Sequence, residues 1–198
     1  MSTSGTIEYY DTNADQFFEQ TVAVDMTPLY GRFLVHLPEG GCILDAGCGS
    51  GRDAKIFLEK GYAVTAMDGS AELVKRASAF LDKEVICCRF DEITFDAEFD
   101  GVWACASLLH VESQVLPEVL GKLAKSLKSH GVLYMSFKQG DGERIDGNGR
   151  HFIDMTLERL EDLVHSSGQL EILETWETQD QRPQKRDERW WNCLARKK

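Results

Sequence analysis

A glycine-rich run after a short apolar segment is the part of the sequence best suited to chemistry. Residues 43–52 read Ile-Leu-Asp-Ala-Gly-Cys-Gly-Ser-Gly-Arg, which predicts a buried strand, a tight turn and the start of a helix. Gly47, Gly49 and Gly51 leave no side chain between the backbone and a bound molecule, so the turn can lie directly against a small cofactor. The carboxylate of Asp45, at the strand end, would repel a nucleotide phosphate at this point.

A second acidic residue fits the same site. Residues 62–67, Tyr-Ala-Val-Thr-Ala-Met, predict a second strand that ends at Asp68, 23 positions after Asp45. An acidic residue about 20 positions after a glycine turn, at the end of the next strand, can accept hydrogen bonds from both hydroxyls of a ribose. The two strands therefore predict a nucleoside site. The alternative is that the glycines only form a tight loop and that Asp68 caps the next helix.

The motif Asp-x-Gly-x-Gly-x-Gly, from Asp45 to Gly51, resembles the first motif of the class I S-adenosylmethionine-dependent methyltransferases. A dinucleotide fingerprint has its third glycine one residue later, where this chain has Arg52. The resemblance covers essentially the whole chain. The Gly-Asp-Gly-Glu-Arg loop and the Glu-Arg-Trp-Trp-Asn-Cys-Leu-Ala-Arg ending are similar to compact bacterial methyltransferases grouped with tellurite-resistance proteins. S-adenosyl-L-methionine is the implied cofactor and S-adenosyl-L-homocysteine the implied product.

The order of the predicted elements indicates the fold class. Strands alternate with helices up to about residue 137, which predicts a doubly wound α/β sheet. Two strands, 170–176 and 189–195, then follow each other without a helix, which matches the family's reversed last strand. The resemblance implies a Rossmann-like sheet of seven mostly parallel strands with helices on both faces. We expect one methyltransferase domain, 1–198, with a helical cover at 1–40 and the core at 41–198.

Ligands bind such sheets at the carboxyl ends of the strands, where the strand order reverses. By resemblance, the backbone around Gly47 and Gly49 would touch the methionine part of the cofactor, Asp45 would hold its ammonium and Asp68 would bind the ribose hydroxyls. The predicted cofactor contacts are Tyr10, Asp45, Gly47, Cys48, Gly49, Gly51, Arg52, Asp68, Gly69, Ser70, Phe90, Asp91, Ala106 and Ser107.

Four of these positions have open alternatives. Asp91 lies where the family places a side chain near the adenine amino group, with Phe90 as an apolar wall. Asp91 could equally cap a turn, and Phe90 could belong to the core. Tyr10 and Arg52 could bind the cofactor carboxylate under an N-terminal lid. Alternatively, the Tyr9–Tyr10 pair only packs the leading helix onto the sheet.

One residue is a candidate for acid–base catalysis. His110 follows the fourth predicted strand, and a histidine can act as a general base near pH 7; a packing or capping role is the alternative. Displacement at a sulfonium methyl mainly needs alignment of donor and acceptor, so no metal site is expected. The glycine-rich loop 138–151 is the candidate for substrate recognition, with a solvated turn as the alternative. Its candidate contacts are Lys138, Arg144, Arg150 and His151.

Composition bears on the partners. The 198 residues carry a formal net charge of −11, which opposes binding to nucleic acids and anionic membranes. Residues 104–107 read Ala-Cys-Ala-Ser, unlike the Asn-Pro-Pro-Tyr type of motif in enzymes that methylate nucleic-acid amino groups. We therefore expect a small-molecule substrate. No apolar run approaches the length of a membrane span, and six cysteines without a Cys-x-x-Cys motif favour a reduced, cytoplasmic protein.

Three other functions stay open. The chain could be a module that binds the cofactor without turnover, or an NAD-dependent oxidoreductase, which the glycine spacing and Asp45 oppose. It could also be an RNA methyltransferase that uses basic residues near its C-terminus, namely Arg182, Lys185, Arg186 and Arg189. The sequence indicates neither the acceptor nor the oligomeric state.

Overall fold

The structure is a computed structural model that describes residues 3–182 and 185–198. Three helices, α1 (Thr3–Thr12), α2 (Ala14–Thr21) and α3 (Thr27–Leu34), precede the first strand. The helix-like spacing of the aromatic residues predicts one leading helix from Ile7 to about Gln20. It is interrupted at Asn13, whose backbone leaves the helical region with φ −113° and ψ 21°.

Nine strands and four helices follow residue 41 in the described ranges, with 3-10 turns at Phe90–Glu92 and Leu108–His110. The elements are β1 (Cys42–Ala46), α4 (Arg52–Glu59), β2 (Ala63–Asp68), α5 (Ala71–Leu81), β3 (Ile86–Cys87), β4 (Phe99–Ala104), α6 (Leu116–Ser126), β5 (Leu127–Gln139), β6 (Gly142–Ile145), β7 (His151–Met155), α7 (Leu157–Ser166), β8 (Leu170–Gln179) and β9 (Arg189–Lys197).

The sheet has the predicted topology. Strands β3, β2, β1, β4 and β5 lie side by side in that order and are parallel. Strand β9 runs antiparallel to β5 on its other side, and β8 pairs antiparallel with β9. The expected fold class, a doubly wound and mostly parallel sheet with a reversed last strand, is confirmed. The carboxyl ends of β1, β2 and β4 consequently meet at one edge.

The segment 138–151 differs from the expected loop and raises the number of strands to nine among the residues described. It forms the hairpin β6–β7, in which β7 pairs with Lys138 and Gln139 at the end of β5. Pairing of β4 with β5 ends at Met135, and β9 occupies the other side of β5. The hairpin therefore lies beyond the carboxyl end of β4, above the predicted ligand edge.

Both faces of the sheet are buried, as a parallel sheet requires. Ile43 and Trp103 pack on the face covered by α3, α4 and α5, whereas Leu44 and Val102 pack on the face covered by α6 and α7. The indole of Trp103 stacks on the Tyr134 ring with 3.9 Å between centroids. Helices therefore cover both faces of the sheet, as the fold class predicts. None of the helices in the described ranges has the length and apolar character needed to cross a bilayer.

Candidate functional site

The glycine turn after β1 has the tight geometry that the sequence predicts. The backbone N–H groups of Gly47 and Cys48 both donate to the Met67 carbonyl at 2.9 Å, which ties the turn to β2. Gly47 has φ +79°, and a Cβ there would lie 2.5 Å from the Ser107 Cβ. A side chain at this position would collide with the segment that follows β4. The turn thus exposes backbone to the edge where a ligand would bind.

Asp68, at the end of β2, is fixed by two backbone donors. Its Oδ2 accepts from the Gly49 N–H and its Oδ1 from the Ser70 N–H, both at 2.9 Å. Burial raises the pKa of the Asp68 carboxyl above its ordinary value, although these hydrogen bonds oppose the rise. Each carboxylate oxygen can accept a second hydrogen bond. Asp68 is therefore held in an orientation that leaves acceptor capacity for a ligand.

Asp45 lies beneath the turn and does not line the ligand edge. It is 2% exposed, and its Oδ2 accepts from the Ala54 N–H at 3.0 Å, in the first turn of α4. Burial and the nearby charge of Asp53 raise the pKa of Asp45 well above its ordinary value. Asp45 thus stabilises the junction of β1 with α4. Its contact with the cofactor ammonium stays a prediction.

Arg52 is held by a buried network. Its Nε donates to Asp53 Oδ1 at 2.6 Å, and the same carboxylate accepts from the Tyr30 hydroxyl at 2.6 Å and from Trp103 Nε1 at 2.8 Å. Burial favours protonation, but the Arg52 guanidinium and these donors hold the pKa of Asp53 below its usual range. The network fixes the direction of Arg52 at the start of α4.

The segments after β1, β2, β3 and β4 converge on one cavity of about 270 Å³, the first cavity. α1 and α2 close it from above through Ile7, Tyr10 and Phe17. Ten of the predicted cofactor residues line it, namely Tyr10, Gly47, Gly49, Asp68, Gly69, Ser70, Phe90, Asp91, Ala106 and Ser107. Gly51 does not; a Cβ there would lie 3.3 Å from Ala77 and Leu81 in α5, so its role is close packing of the turn on that helix.

Helix α1 spans the first cavity and is anchored at both sides. The Asp11 carboxylate accepts from the Ser70 hydroxyl at 2.6 Å and from the Glu72 N–H at 3.2 Å, at the start of α5. On the hairpin side, the Thr6 hydroxyl accepts from the His151 N–H at 2.9 Å. Sequence reasoning missed Asp11 and Thr6, because their partners lie 59 and 145 residues away.

His110 has hydrogen-bond partners at both ring nitrogens. Nδ1 lies 2.7 Å from the His151 carbonyl oxygen, and Nε2 lies 2.9 Å from the Tyr10 hydroxyl. A carbonyl can only accept, so Nδ1 carries the hydrogen and Nε2 accepts from Tyr10. Burial lowers the pKa of His110 to about 4, which keeps the ring neutral at pH 7. A role as general base stays a prediction and requires the Tyr10 hydroxyl to give up this bond.

A second cavity of about 160 Å³ lies next to the first. The two cavities adjoin at residues that line both of them, among them Tyr10, Gly47, Gly49 and His110. The lining of the second cavity also includes four residues that the sequence analysis assigned to cofactor or substrate, namely Cys48, Arg52, Lys138 and Arg150.

Two predicted substrate residues lie outside both cavities. Arg144 forms an ion pair with Asp154 at 2.6 Å. The buried His151 side chain is bonded through Nε2 to Glu143 at 2.7 Å. Their contact with a substrate remains a prediction, although the His151 backbone holds both α1 and His110.

The loop between β8 and β9 contributes residues to the second cavity that sequence reasoning assigned elsewhere. Arg182 and Lys185, considered as possible RNA contacts, line this cavity. Arg182 pairs with Asp180 at 2.5 Å, and Arg189, outside the cavity, pairs with Glu177. The predicted topology could have indicated this position. A reversed last strand begins at the carboxyl edge of a parallel sheet, so the loop that precedes it lies at the ligand edge.

Comparisons with known proteins agree with the family resemblance and with the fold. Residues 44–135 match the family model described as "Methyltransferase domain". YqeM of Bacillus subtilis, a methyltransferase by name, is 34% identical over 114 residues, which are 52% of this chain and 46% of that protein. The cypemycin N-terminal methyltransferase of a Streptomyces species is 28% identical over 122 residues, 58% of this chain and 50% of that protein. The chain thus spans about half the length of these curated relatives.

Solved structures share the fold. The 1,6-didemethyltoxoflavin-N1-methyltransferase of Burkholderia thailandensis, crystallised with 1,6-didemethyltoxoflavin and S-adenosylhomocysteine, aligns with a TM-score of 0.79 at 24% identity, over 98% of this chain and 86% of that chain. The magnesium protoporphyrin IX methyltransferase of Synechocystis, with bound S-adenosylmethionine, aligns with a TM-score of 0.77 at 15% identity, over 100% and 98%. The family match places a methyltransferase domain over residues 44–135, and the glycine motif and the strand order of this chain agree with that match.

Proposed function

We propose that this protein transfers the methyl group of S-adenosylmethionine to a small-molecule acceptor, with the cofactor in the first cavity and the acceptor in the second. One observation carries the proposal: Asp68 and the glycine turn border the first cavity, and the second cavity meets it at Tyr10 and His110. The methyltransferase names of the curated relatives support the reaction class. The narrower likeness to tellurite-resistance-type methyltransferases remains a prediction, as does any oxyanion acceptor.

The residues of the first cavity fit the proposed cofactor. Gly47 has no room for a Cβ against Ser107, so backbone would face the methionine part. Asp68 would accept from the ribose hydroxyls, since two backbone donors already fix its carboxylate. Phe90 and Asp91 line the same cavity and would face the adenine. Because an acidic residue at the position of Asp68 also binds the ribose of NAD, the preference for this cofactor over NAD rests instead on the glycine spacing, with Arg52 where a dinucleotide fingerprint has its third glycine, and on Asp45.

The chain's own residues would position the reactants and exclude water. When bound, S-adenosylmethionine supplies a sulfonium methyl: an acceptor lone pair forms the new bond to its carbon, while the carbon–sulfur bond breaks and leaves its electron pair on sulfur. Helix α1, anchored through Asp11 and Thr6, covers the first cavity and restricts water there. Tyr10, held by His110, forms part of the boundary between the two cavities.

His110 would act mainly by positioning Tyr10. A base with a pKa near 4 takes up little of a proton released at pH 7. An acceptor that must lose a proton would therefore release it to water or to another group, unless closure of the site changes the surroundings of His110. Of the two roles proposed for His110, the pKa therefore favours the positioning of Tyr10 over general-base catalysis.

We also propose that 1–198 is one domain, in which the helices before residue 41 form the cover. The contacts of α1 with α5 and β7 support this; residues 1–2 and 183–184 lie outside the described ranges. All six cysteines are free thiols, which agrees with a cytoplasmic location.

Calorimetric titration with S-adenosylmethionine, S-adenosylhomocysteine and NAD tests the cofactor assignment. Binding of the first two without NAD supports the proposal, and binding of NAD alone contradicts it. A mass-spectrometric assay for S-adenosylhomocysteine formation with candidate acceptors then tests turnover. Binding with no turnover across the panel would favour a cofactor-binding module; the same fold occurs in SpnF, described as a [4+2]-cyclase, at a TM-score of 0.75.

A further inference from the structure

We infer that the acceptor is a small molecule with an apolar body and an anionic group, carboxylate or phosphate, bound by the cationic wall of the second cavity. This inference rests on the proposed function, because it assigns the second cavity to the methyl acceptor. The cationic wall is the set of four side chains Lys138, Arg150, Arg182 and Lys185.

The cationic wall gives the second cavity an excess of positive charge. Among the described residues that line it, five are cationic, the four of the wall and Arg52, and two are acidic, Asp53 and Asp180. Arg52 is bonded to Asp53, and Arg182 to Asp180. The excess therefore comes from Lys138, Arg150 and Lys185.

The acidic partners of these three cations lie outside the second cavity. Glu188 is 2.5 Å from the Lys138 Nζ and 3.5 Å from the Lys185 Nζ, and Asp146 is 2.6 Å from Arg150. Glu188 and Asp146 line a separate, more open depression on the outer surface of the hairpin and loop. Lys138, Arg150 and Lys185 border both this depression and the second cavity, whereas Glu188 and Asp146 border only the depression. A ligand in the second cavity would therefore meet these cations without meeting their carboxylate partners.

The cations are close enough to repel one another. Burial lowers the pKa of Lys185, and the charge of Arg182, followed by that of Lys138, adds to this effect against the attraction of Glu188. A bound anion would relieve the repulsion. With Glu188 and Asp146 included, the five cations exceed their four carboxylate partners by one positive charge, although the whole chain carries −11. The cavity would therefore attract small anions over a short range.

The shape of the two side-chain types favours a carboxylate or a phosphate. The Nε and Nη2 groups of Arg150 and Arg182 already donate to Asp146 and Asp180. A guanidinium has five N–H donors, so an anion would be bound by the N–H groups of Nη1 and Nη2 that these bonds do not use, and the ammonium groups of Lys138 and Lys185 add point charges. A neutral acceptor of the same size would leave these cations partly desolvated without a partner. The lining thus discriminates by charge.

Another part of the lining is apolar and comes from different elements. Phe17, Met26 and Leu29 border the cavity from α2, α3 and the link between them, and Leu109 borders it from the segment after β4. These side chains would hold the uncharged body of the acceptor. The cavity volume of about 160 Å³ suits a small molecule.

Calorimetry with matched probes tests this inference on protein saturated with S-adenosylhomocysteine. Benzoate and phenyl phosphate carry the two anionic groups, and benzamide is the neutral control of similar shape. We expect at least one anionic probe to bind about tenfold or more tightly than benzamide. Comparison of the two anionic probes distinguishes carboxylate from phosphate. Equal affinity for all three, or no binding of any, overturns the inference.

Two variants assign the binding to the cationic wall. Lys185→Gln and Arg182→Gln should each weaken the preferred anionic probe about tenfold while leaving benzamide unchanged. Arg186→Gln is the matched control, since Arg186 lies in the same loop, has an exposed side chain and lines neither cavity. Equal loss in the control, or none in the two variants, contradicts the assignment.

These experiments separate the inference from the proposed function. Arg182→Gln removes a partner of the buried Asp180, so thermal melting of each variant is measured first, and Lys185→Gln serves alone if Arg182→Gln is unfolded. Failure of S-adenosylhomocysteine to bind would refute the proposed function. Its binding without preference for anionic probes would refute only the acceptor class.

Discussion

The Tyr10 hydroxyl donates a hydrogen bond to His110 Nε2 across 2.9 Å, and the two residues are 100 positions apart in the sequence. This bond joins helix α1 to the carboxyl edge of the sheet at the boundary of the two cavities. The opposite ring nitrogen of His110 donates to the His151 carbonyl at 2.7 Å. The cover, the strand edge and the hairpin are thereby linked through one imidazole ring.

The buried, neutral His110 should make the stability of the protein sensitive to acid. Its pKa is about 4 in the folded protein and about 6.5 in an unfolded chain. Between these values only the unfolded chain binds the proton, so stability is lost as the pH falls from about 6.5 to 4. His110→Gln can keep both hydrogen bonds without titrating. Between pH 7 and 4, the free energy of unfolding measured in urea should fall by about 3 kcal/mol more in the wild type than in this variant. The same pH dependence in both proteins would contradict the buried neutral state of His110.

Asp68 should contribute to cofactor affinity. Asp68→Asn keeps the size of the side chain and removes the charge that would attract the ribose hydroxyls. We expect affinity for S-adenosylhomocysteine to fall about 10- to 100-fold, the range for a hydrogen bond to a charged group. Asp82→Asn, at an exposed position after α5, is the calorimetric control. Unchanged affinity in Asp68→Asn would remove Asp68 from the site.

The hydrogen-bond network around Asp53 should contribute to the stability of the folded protein. Asp53→Asn weakens its interactions with Arg52, Tyr30 and Trp103 in a buried setting. Loss of one partner of a buried ion pair typically costs about 3–5 kcal/mol, and urea unfolding should show a loss of this size. Tyr30→Phe removes a single donor and should cost less, about 1.5–3 kcal/mol. A loss below about 1 kcal/mol in Asp53→Asn would show that the network adds little.

The anchor of the cover at Asp11 should control how long the cofactor stays bound. Asp11→Ala frees α1 from Ser70 and Glu72, so stopped-flow release of S-adenosylhomocysteine should accelerate about tenfold, as expected for loss of roughly 1.4 kcal/mol. Asp15→Ala removes the exposed pair of α2 with Arg76 and should change release little, since exposed pairs are weak. Equal effects of the two variants would argue against a specific anchor.

Part of the site could be predicted from sequence because its signals are local. The turn at Gly47 and the acidic residue Asp68 each follow directly from a strand, and the parallel order of the strands brings them together. Asp45 belongs to the same motif, yet its backbone partner Ala54 turns it beneath the cavity. The motif thus predicted the location of the residue and not the direction of its side chain.

The second cavity depends on contacts that no local pattern shows. The hairpin strand β6 has mostly exposed side chains, so alternation of apolar residues does not mark it. Arg182 reaches the cavity because β8 and β9 form nine antiparallel residue pairs up to Gln179 and Arg189, which places the loop between the two strands at the ligand edge. At Gly47, a valine would strain the fold as well as block the approach of a ligand, because its Cβ would lie 2.5 Å from the Ser107 Cβ at a positive φ.

A crystal structure of the protein with S-adenosylhomocysteine tests the account most directly, through the distance from the ribose hydroxyls to the Asp68 carboxylate. We predict density for the ligand beneath α1, with both hydroxyls within hydrogen-bond distance of Asp68 and the homocysteine sulfur facing the second cavity near Tyr10. Density at another site, or a ribose remote from Asp68, would contradict the assignment of the first cavity to the cofactor.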